Sequence, residues 1–121
     1  MNDHEFSFND RTYRCYFELT LDLIGGKWKP IIIYHLGRQD KMRYSDIRRE
    51  IPKITERMLT KQLRELESDG IVNRKVYPVI PPKVEYSLTK EGERLMPVLK
   101  ELRHWGQMYH SNKKDQNKSS E

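Results

Sequence analysis

The spacing of apolar residues changes twice along this chain, and those two changes constrain the fold more than any single motif. From Phe17 to Leu66 they recur every three or four residues, the spacing of helices with one buried face. From Val72 to Leu88 the pattern becomes that of strands: Val72 to Tyr77 is rich in valine and tyrosine, and Val84, Tyr86 and Leu88 alternate with Glu85, Ser87 and Thr89. Helical spacing returns at Leu95. A mostly α fold with one small antiparallel β-hairpin follows.

Punctuation divides the helical part further. A first helix fits Phe17 to Ile24, with Gly25 as its C′ residue. A second starts near Trp28, where Pro30 is tolerated in the first turn, and buries Trp28, Ile31, Ile32, His35 and Leu36. Gly37 to Lys41 reads as a turn. A third helix fits Ser45 to Ile51, capped by Ser45 with Asp46 at the positive end of the dipole, and Pro52 stops it. Thr55 caps a fourth running to about Asp69, with Met58 or Leu59, Leu63 and Leu66 as its buried stripe and Gly70 at its end. Pro78, Pro81 and Pro82 between the strands lack the amides a ladder needs and stiffen the hairpin tip. Thr89 caps a single last helix carrying Leu95, Leu99, Leu102, Trp105 or Gly106, and Tyr109. Residues 1–14 read as an arm, 15–110 as the one domain, and 111–121 as a disordered polar tail.

Helices joined by a short turn and followed by a two-stranded wing describe a winged helix-turn-helix, whose second helix enters the major groove of duplex DNA. Charge supports that reading. Between Gly37 and Arg64 there are nine basic and four acidic residues, so this segment alone holds the net charge of +5 of the 121-residue chain. Such a localised basic field suits a surface facing phosphates, although a solvated helix face would look the same.

Roles follow from position. Thr55, Glu56, Arg57, Thr60, Lys61 and Arg64 lie on or near the face left free by Met58, Leu63 and Leu66. Arg57, Lys61 and Arg64 suit guanine acceptors and Thr60 a thymine methyl, while Glu56 suits a cytosine amine or a pairing with Arg57. Arg43, Ser45, Arg48 and Arg49 suit phosphates. On the wing, Arg74, Lys75 and Lys83 suit the DNA backbone or minor groove, or simply a solvated strand face. The alternative to DNA binding is a winged-helix module that docks on a protein.

Other chemistries find little footing. Gly25-Gly26-Lys27 lacks the spacing and hydroxyl of a phosphate-binding loop. His4, His35, His104 and His110 are scattered, so neither a metal nor another cofactor is expected, and the chain does not read as an enzyme. No run of ~18 apolar residues suggests a membrane span. Met1 to Tyr13 is polar with both charge signs, unlike a secretory signal, and a cytoplasmic location is expected. Cys15 is the sole cysteine, which excludes an intrachain disulfide.

Cys15 to Trp28 (CYFELTLDLIGGKW), Arg43 to Ile47 (RYSDI), Leu63 to Gly70 (LRELESDG) and Tyr77 to Thr89 (YPVIPPKVEYSLT) together resemble the HxlR-type regulators, relatives of the MarR group. The resemblance spans Cys15 to Gly106 and implies a bacterial or archaeal transcription factor that binds pseudo-palindromic operators as a homodimer. It also implies a role for Cys15, because relatives often sense oxidants or electrophiles with a cysteine at this position. Here Cys15 lies beside Arg14 at a helix start, surroundings that make a thiol reactive. Tyr16 stands where many relatives have proline, and no second cysteine is present to resolve an intermediate. An intersubunit Cys15 link, a mixed disulfide or S-alkylation stays open, as does an ordinary half-buried cysteine.

Apolar residues left over on the outer helices point to a partner subunit. Phe17, Leu21, Leu95, Leu99, Leu102 and Trp105 are the interface candidates, with intrachain core as the alternative for each.

Overall fold

The computed structural model describes residues 4–119 and orders them as β1 (Phe6–Phe8), β2 (Arg11–Tyr13), α1 (Tyr16–Ile24), α2 (Trp28–Gln39), α3 (Tyr44–Glu50), α4 (Glu56–Ser68), β3 (Val72–Tyr77), β4 (Lys83–Leu88), α5 (Lys90–Arg94) and α6 (Met96–Ser119). This is the helical fold with a hairpin wing that the apolar spacing predicts. The α2 residues Ile32, Ile33 and Leu36 meet Ile47 of α3 and Leu59, Leu63 and Leu66 of α4, and all of these are almost completely buried. Val72 and Leu88, paired across the base of the wing, close the core from the sheet side. Lys29 Nζ lies 3.4 Å from Glu65, an ion pair that ties the start of α2 to α4.

The wing has a third, one-residue member. Met42, just before α3, exchanges both backbone hydrogen bonds with Tyr86 at 2.9 and 2.8 Å, so the helix-turn-helix and the wing share a ladder. The alternation of strand side chains then sorts the wing into two faces. Val72, Arg74, Tyr86 and Leu88 turn toward α4, and Lys75, Tyr77, Lys83 and Glu85 turn away.

Several boundaries differ from those expected. The segment read as an arm contains a β-hairpin: Phe8 pairs with Arg11 across Asn9 and Asp10, both at positive φ (49° and 63°), as a tight two-residue turn requires. Phe6 stacks on Tyr13 and Tyr16, which fastens the hairpin to α1. Residues 1–3 of that arm lie outside the described residues. Ser45 is not the α3 cap; Arg43 occupies that position, and its backbone N–H donates to the Asp46 carboxylate at 3.0 Å. Gly37 does not begin a turn. It lies inside α2, where the missing side chain admits Met96 of the last helix against the backbone. The left-handed residue after α1 is Gly26 (φ 85°) rather than Gly25, whose N–H instead closes the helix on the Leu21 carbonyl at 2.7 Å.

The single last helix expected after Thr89 is interrupted at Leu95, where Pro97 cannot donate to a carbonyl one turn back. Past that break, α6 runs straight through the segment read as disordered, as far as Ser119. No proline or glycine follows Gly106. Side chains four residues apart support the extension: Trp105 stacks on Tyr109 at 5.2 Å, and Lys113 lies over the Tyr109 ring at 5.5 Å. Residues 120–121 of that tail lie outside the described residues. Among the described residues no helix is long and apolar enough to cross a membrane.

Candidate nucleic-acid interface

The α4 helix is built to have one face free. Thr55 Oγ1 accepts the Met58 N–H at 3.1 Å, so the first turn is closed without a partner from elsewhere. Leu59, Leu63 and Leu66 then bury the opposite side completely. What projects outward is Arg57, Lys61 and Arg64, at the three- and four-residue spacing that aligns side chains on one helix face. These three cations and Arg43 are exposed, and among the described residues their side chains form no ion pair or hydrogen bond. Arg57, Lys61 and Arg64, together with Tyr44 and Thr60, line an open depression along α4.

Thr60 is half-buried and held from below. The Tyr44 hydroxyl lies 2.9 Å from the Glu56 carbonyl and 3.1 Å from Thr60 Oγ1, so the first residue of α3 grips the outer face of α4. Tyr44 was not among the residues singled out from the sequence. Its place in RYSDI, one residue before Ser45, is the only sequence signal it has.

Arg48 departs from the phosphate role expected of it. Its Nη1 pairs with the Glu56 carboxylate at 2.9 Å and its Nη2 donates to the Ile54 carbonyl at 3.3 Å. The Nε is buried without a hydrogen-bond partner. The guanidinium therefore clamps the turn between α3 and α4, where a carboxylate at the α4 N-terminus also meets the positive end of the helix dipole. Glu56 is thus paired with Arg48 and not with Arg57. Arg49 lies 3.5 Å from Asp46, and Ser45 is exposed.

The wing brings only part of its expected set to α4. Arg74 lines a second cleft with Thr60, Arg64 and Tyr86, between the helix and the sheet. Lys75 and Lys83 occupy the other face, where their ammonium groups lie 4.8 and 5.0 Å from the Tyr77 ring centre and Lys83 pairs with Glu85 at 3.6 Å. A hydrogen bond from Tyr77 holds the Glu85 carboxyl below its ordinary pKa, with Lys83 and Lys41 acting in the same direction against partial desolvation. Val79 and Ile80 stand exposed at the tip.

Two of the interface candidates are core residues of the single chain. Leu99 is 4% exposed and Leu95 packs against the same cluster, because the break at Leu95 folds the start of α6 back onto α2 and α5. The others are left uncovered. Phe17 and Leu21 on α1, and Leu102 and Trp105 on α6, are all more than half exposed. Val98 and Tyr109 extend the α6 stripe. Cys15 is half-buried at the N-cap of α1, its Sγ 3.4 Å from the Phe17 N–H that it accepts.

Comparison with known proteins agrees with this arrangement. Residues 23–114 match the model of the HxlR-like helix-turn-helix family. An HTH-type transcriptional regulator of Methanothermobacter thermautotrophicus is 50% identical over 106 residues, 88% of this chain and 80% of that protein. The regulator YdeP of Bacillus subtilis is 56% identical over 95 residues, 78% of this chain and 73% of that protein. Among solved structures, the redox regulator HypR in its reduced form superposes with a TM-score of 0.77 at 50% identity, covering 84% of this chain and 99% of HypR. The oxidised form of HypR gives 0.74 at 55% identity over 78% and 96%. The chain belongs to the HxlR-like helix-turn-helix family of transcriptional regulators.

Proposed function

We propose that the protein acts in the cytoplasm as a homodimer that binds a pseudo-palindromic DNA operator by placing α4 in the major groove, and that its affinity responds to oxidants or electrophiles through Cys15. One observation carries the DNA reading: among the described residues the three cations on the free face of α4 have no ion-pair or hydrogen-bond partner, on a helix whose other face is fully anchored. A groove ~12 Å wide accepts such a helix, and its guanine edges offer the acceptors that Arg57, Lys61 and Arg64 lack. Arg43 and Arg49 then fall beside phosphates, and Arg74 beside the sugar-phosphate edge. Cys15 supports the second half of the proposal. Modifying Sγ removes the acceptor that caps α1, on the helix that exposes Phe17 and Leu21, so the change is delivered to the surface a second subunit would cover. HypR, a redox regulator whose structure is known in oxidised and reduced forms, points the same way.

Footprinting on the DNA beside its own gene, at rising salt and with or without diamide, tests both halves. Protection of a two-part site is expected, with affinity falling steeply with salt as counterions are released and falling further or rising on oxidation. Protein docking without DNA protection would overturn the DNA reading. Protection that diamide leaves unchanged would overturn the role of Cys15 alone.

A further inference from the structure

The contact between Tyr44 and Thr60 fixes more than the position of a side chain. A tyrosine hydroxyl has one hydrogen to give, and a backbone carbonyl can only accept. The Tyr44 hydroxyl is within bonding distance of both the Glu56 carbonyl (2.9 Å) and Thr60 Oγ1 (3.1 Å). The two contacts are both full, two-centre hydrogen bonds only if Tyr44 donates to the carbonyl and Thr60 donates to Tyr44. The hydrogen of the Thr60 hydroxyl is then committed inward. Toward the depression on α4, Thr60 offers lone pairs and a methyl group, and no donor.

We infer that Tyr44 is a specificity-determining positioning residue: it sets Thr60 as an acceptor-only reader that favours a base presenting an amino group or a thymine methyl and rejects guanine. This rests on the proposal that α4 occupies the major groove. The chemistry is that of the base edges. Adenine and cytosine present amino donors there and thymine a methyl group, whereas guanine presents only the N7 and O6 acceptors. An oxygen without a hydrogen faces guanine acceptor to acceptor. Tyr44 itself need touch no base.

The test is selection from a duplex pool with randomised half-sites, using the full chain and four variants. Thr60→Val, which keeps the shape and loses the oxygen, identifies the base pair that Thr60 reads. At that pair the wild type is expected to disfavour guanine. Tyr44→Phe removes the inward acceptor and frees the Thr60 hydrogen, and guanine there should gain about fivefold relative to the wild type, the worth of one neutral hydrogen bond. The double variant Tyr44→Phe, Thr60→Val should show the Thr60→Val profile unchanged, an outcome that a merely structural tyrosine would not produce. Thr60→Ser keeps the committed hydroxyl and should still reject guanine while losing the preference for thymine. Were the wild type selective but Tyr44→Phe without effect at that pair, Thr60→Val silent everywhere, or Thr60→Ser tolerant of guanine, the inference would be overturned and the groove assignment would stand. A wild type that selects no sequence at all would overturn the groove assignment and the inference with it.

Discussion

Arg43 and Arg48 carry the same charge at opposite ends of one short helix, yet they face different surroundings. Arg43 is exposed and, among the described residues, its side chain is unpaired, while Arg48 is folded onto the Glu56 carboxylate and the Ile54 carbonyl. A basic residue count cannot separate the two, because the choice is made by the carbonyl and carboxylate that the tertiary turn brings within reach. Replacing Arg48 with alanine should lower stability by about 1 kcal/mol, since one bond to a buried carbonyl and one partly exposed ion pair are lost. The same change should leave the salt dependence of DNA binding as it was. Arg43→Ala should do the reverse, sparing stability and reducing the slope of log affinity against log salt by about 1. Urea denaturation and salt-dependent titration of both variants check this, and a slope that falls for Arg48→Ala would return that residue to the phosphates.

At the scale of elements, most of the fold is written in local signals. Thr55, Gly70 and Thr89 mark helix ends where the structure has them, and the alternation from Val84 to Leu88 is that of a strand. The departures have tertiary causes. Gly37 stays helical because Met96 packs where its side chain would be, and α6 is broken by Pro97 but continues through polar residues on stacked aromatic and cationic pairs. The N-terminal hairpin had a readable signal in Asn9-Asp10 flanked by FSF and RTY, six residues too few to stand out by period. The bridge between Met42 and Tyr86 has no local signal at all. In the wing, the Tyr77 hydroxyl is the main cause that lowers the Glu85 pKa, ahead of Lys83 and Lys41. A carboxyl with a depressed pKa in the folded state adds stability above its unfolded value, near 4.5, and that contribution is lost as pH falls through the lower folded value. A pH titration of Glu85 by carbon-detected NMR should place its midpoint below the ordinary carboxylate range in the wild type and closer to it in Tyr77→Phe. Identical midpoints would show that the hydroxyl is not the main cause.

For the whole molecule, the uncovered apolar stripe of α6 and the exposed face of α1 ask for a partner. Phe17 and Leu21 on α1, and Val98, Leu102, Trp105 and Tyr109 on α6, are each more than half exposed, and large apolar side chains grouped on a helix face suit a protein partner. A twofold pairing would use the same faces on both subunits. Sedimentation should find the wild type dimeric at micromolar concentration and a Leu102→Glu, Trp105→Glu variant monomeric but folded, and a monomeric wild type would contradict the pairing. Period alone leaves interface and intrachain core both open for Leu95 and Leu99, because it cannot tell which element covers a residue, and the fold puts both against the core. The central claim is that α4 lies in the major groove, and protection of guanine N7 from methylation reports on that groove directly. The wild type should protect N7 groups in two patches about one helical turn apart, or a multiple of it, and Arg57→Ala or Lys61→Ala should lose part of each patch with ~1–3 kcal/mol of specific affinity. Full operator affinity in both variants, or binding with every N7 still reactive, would contradict it.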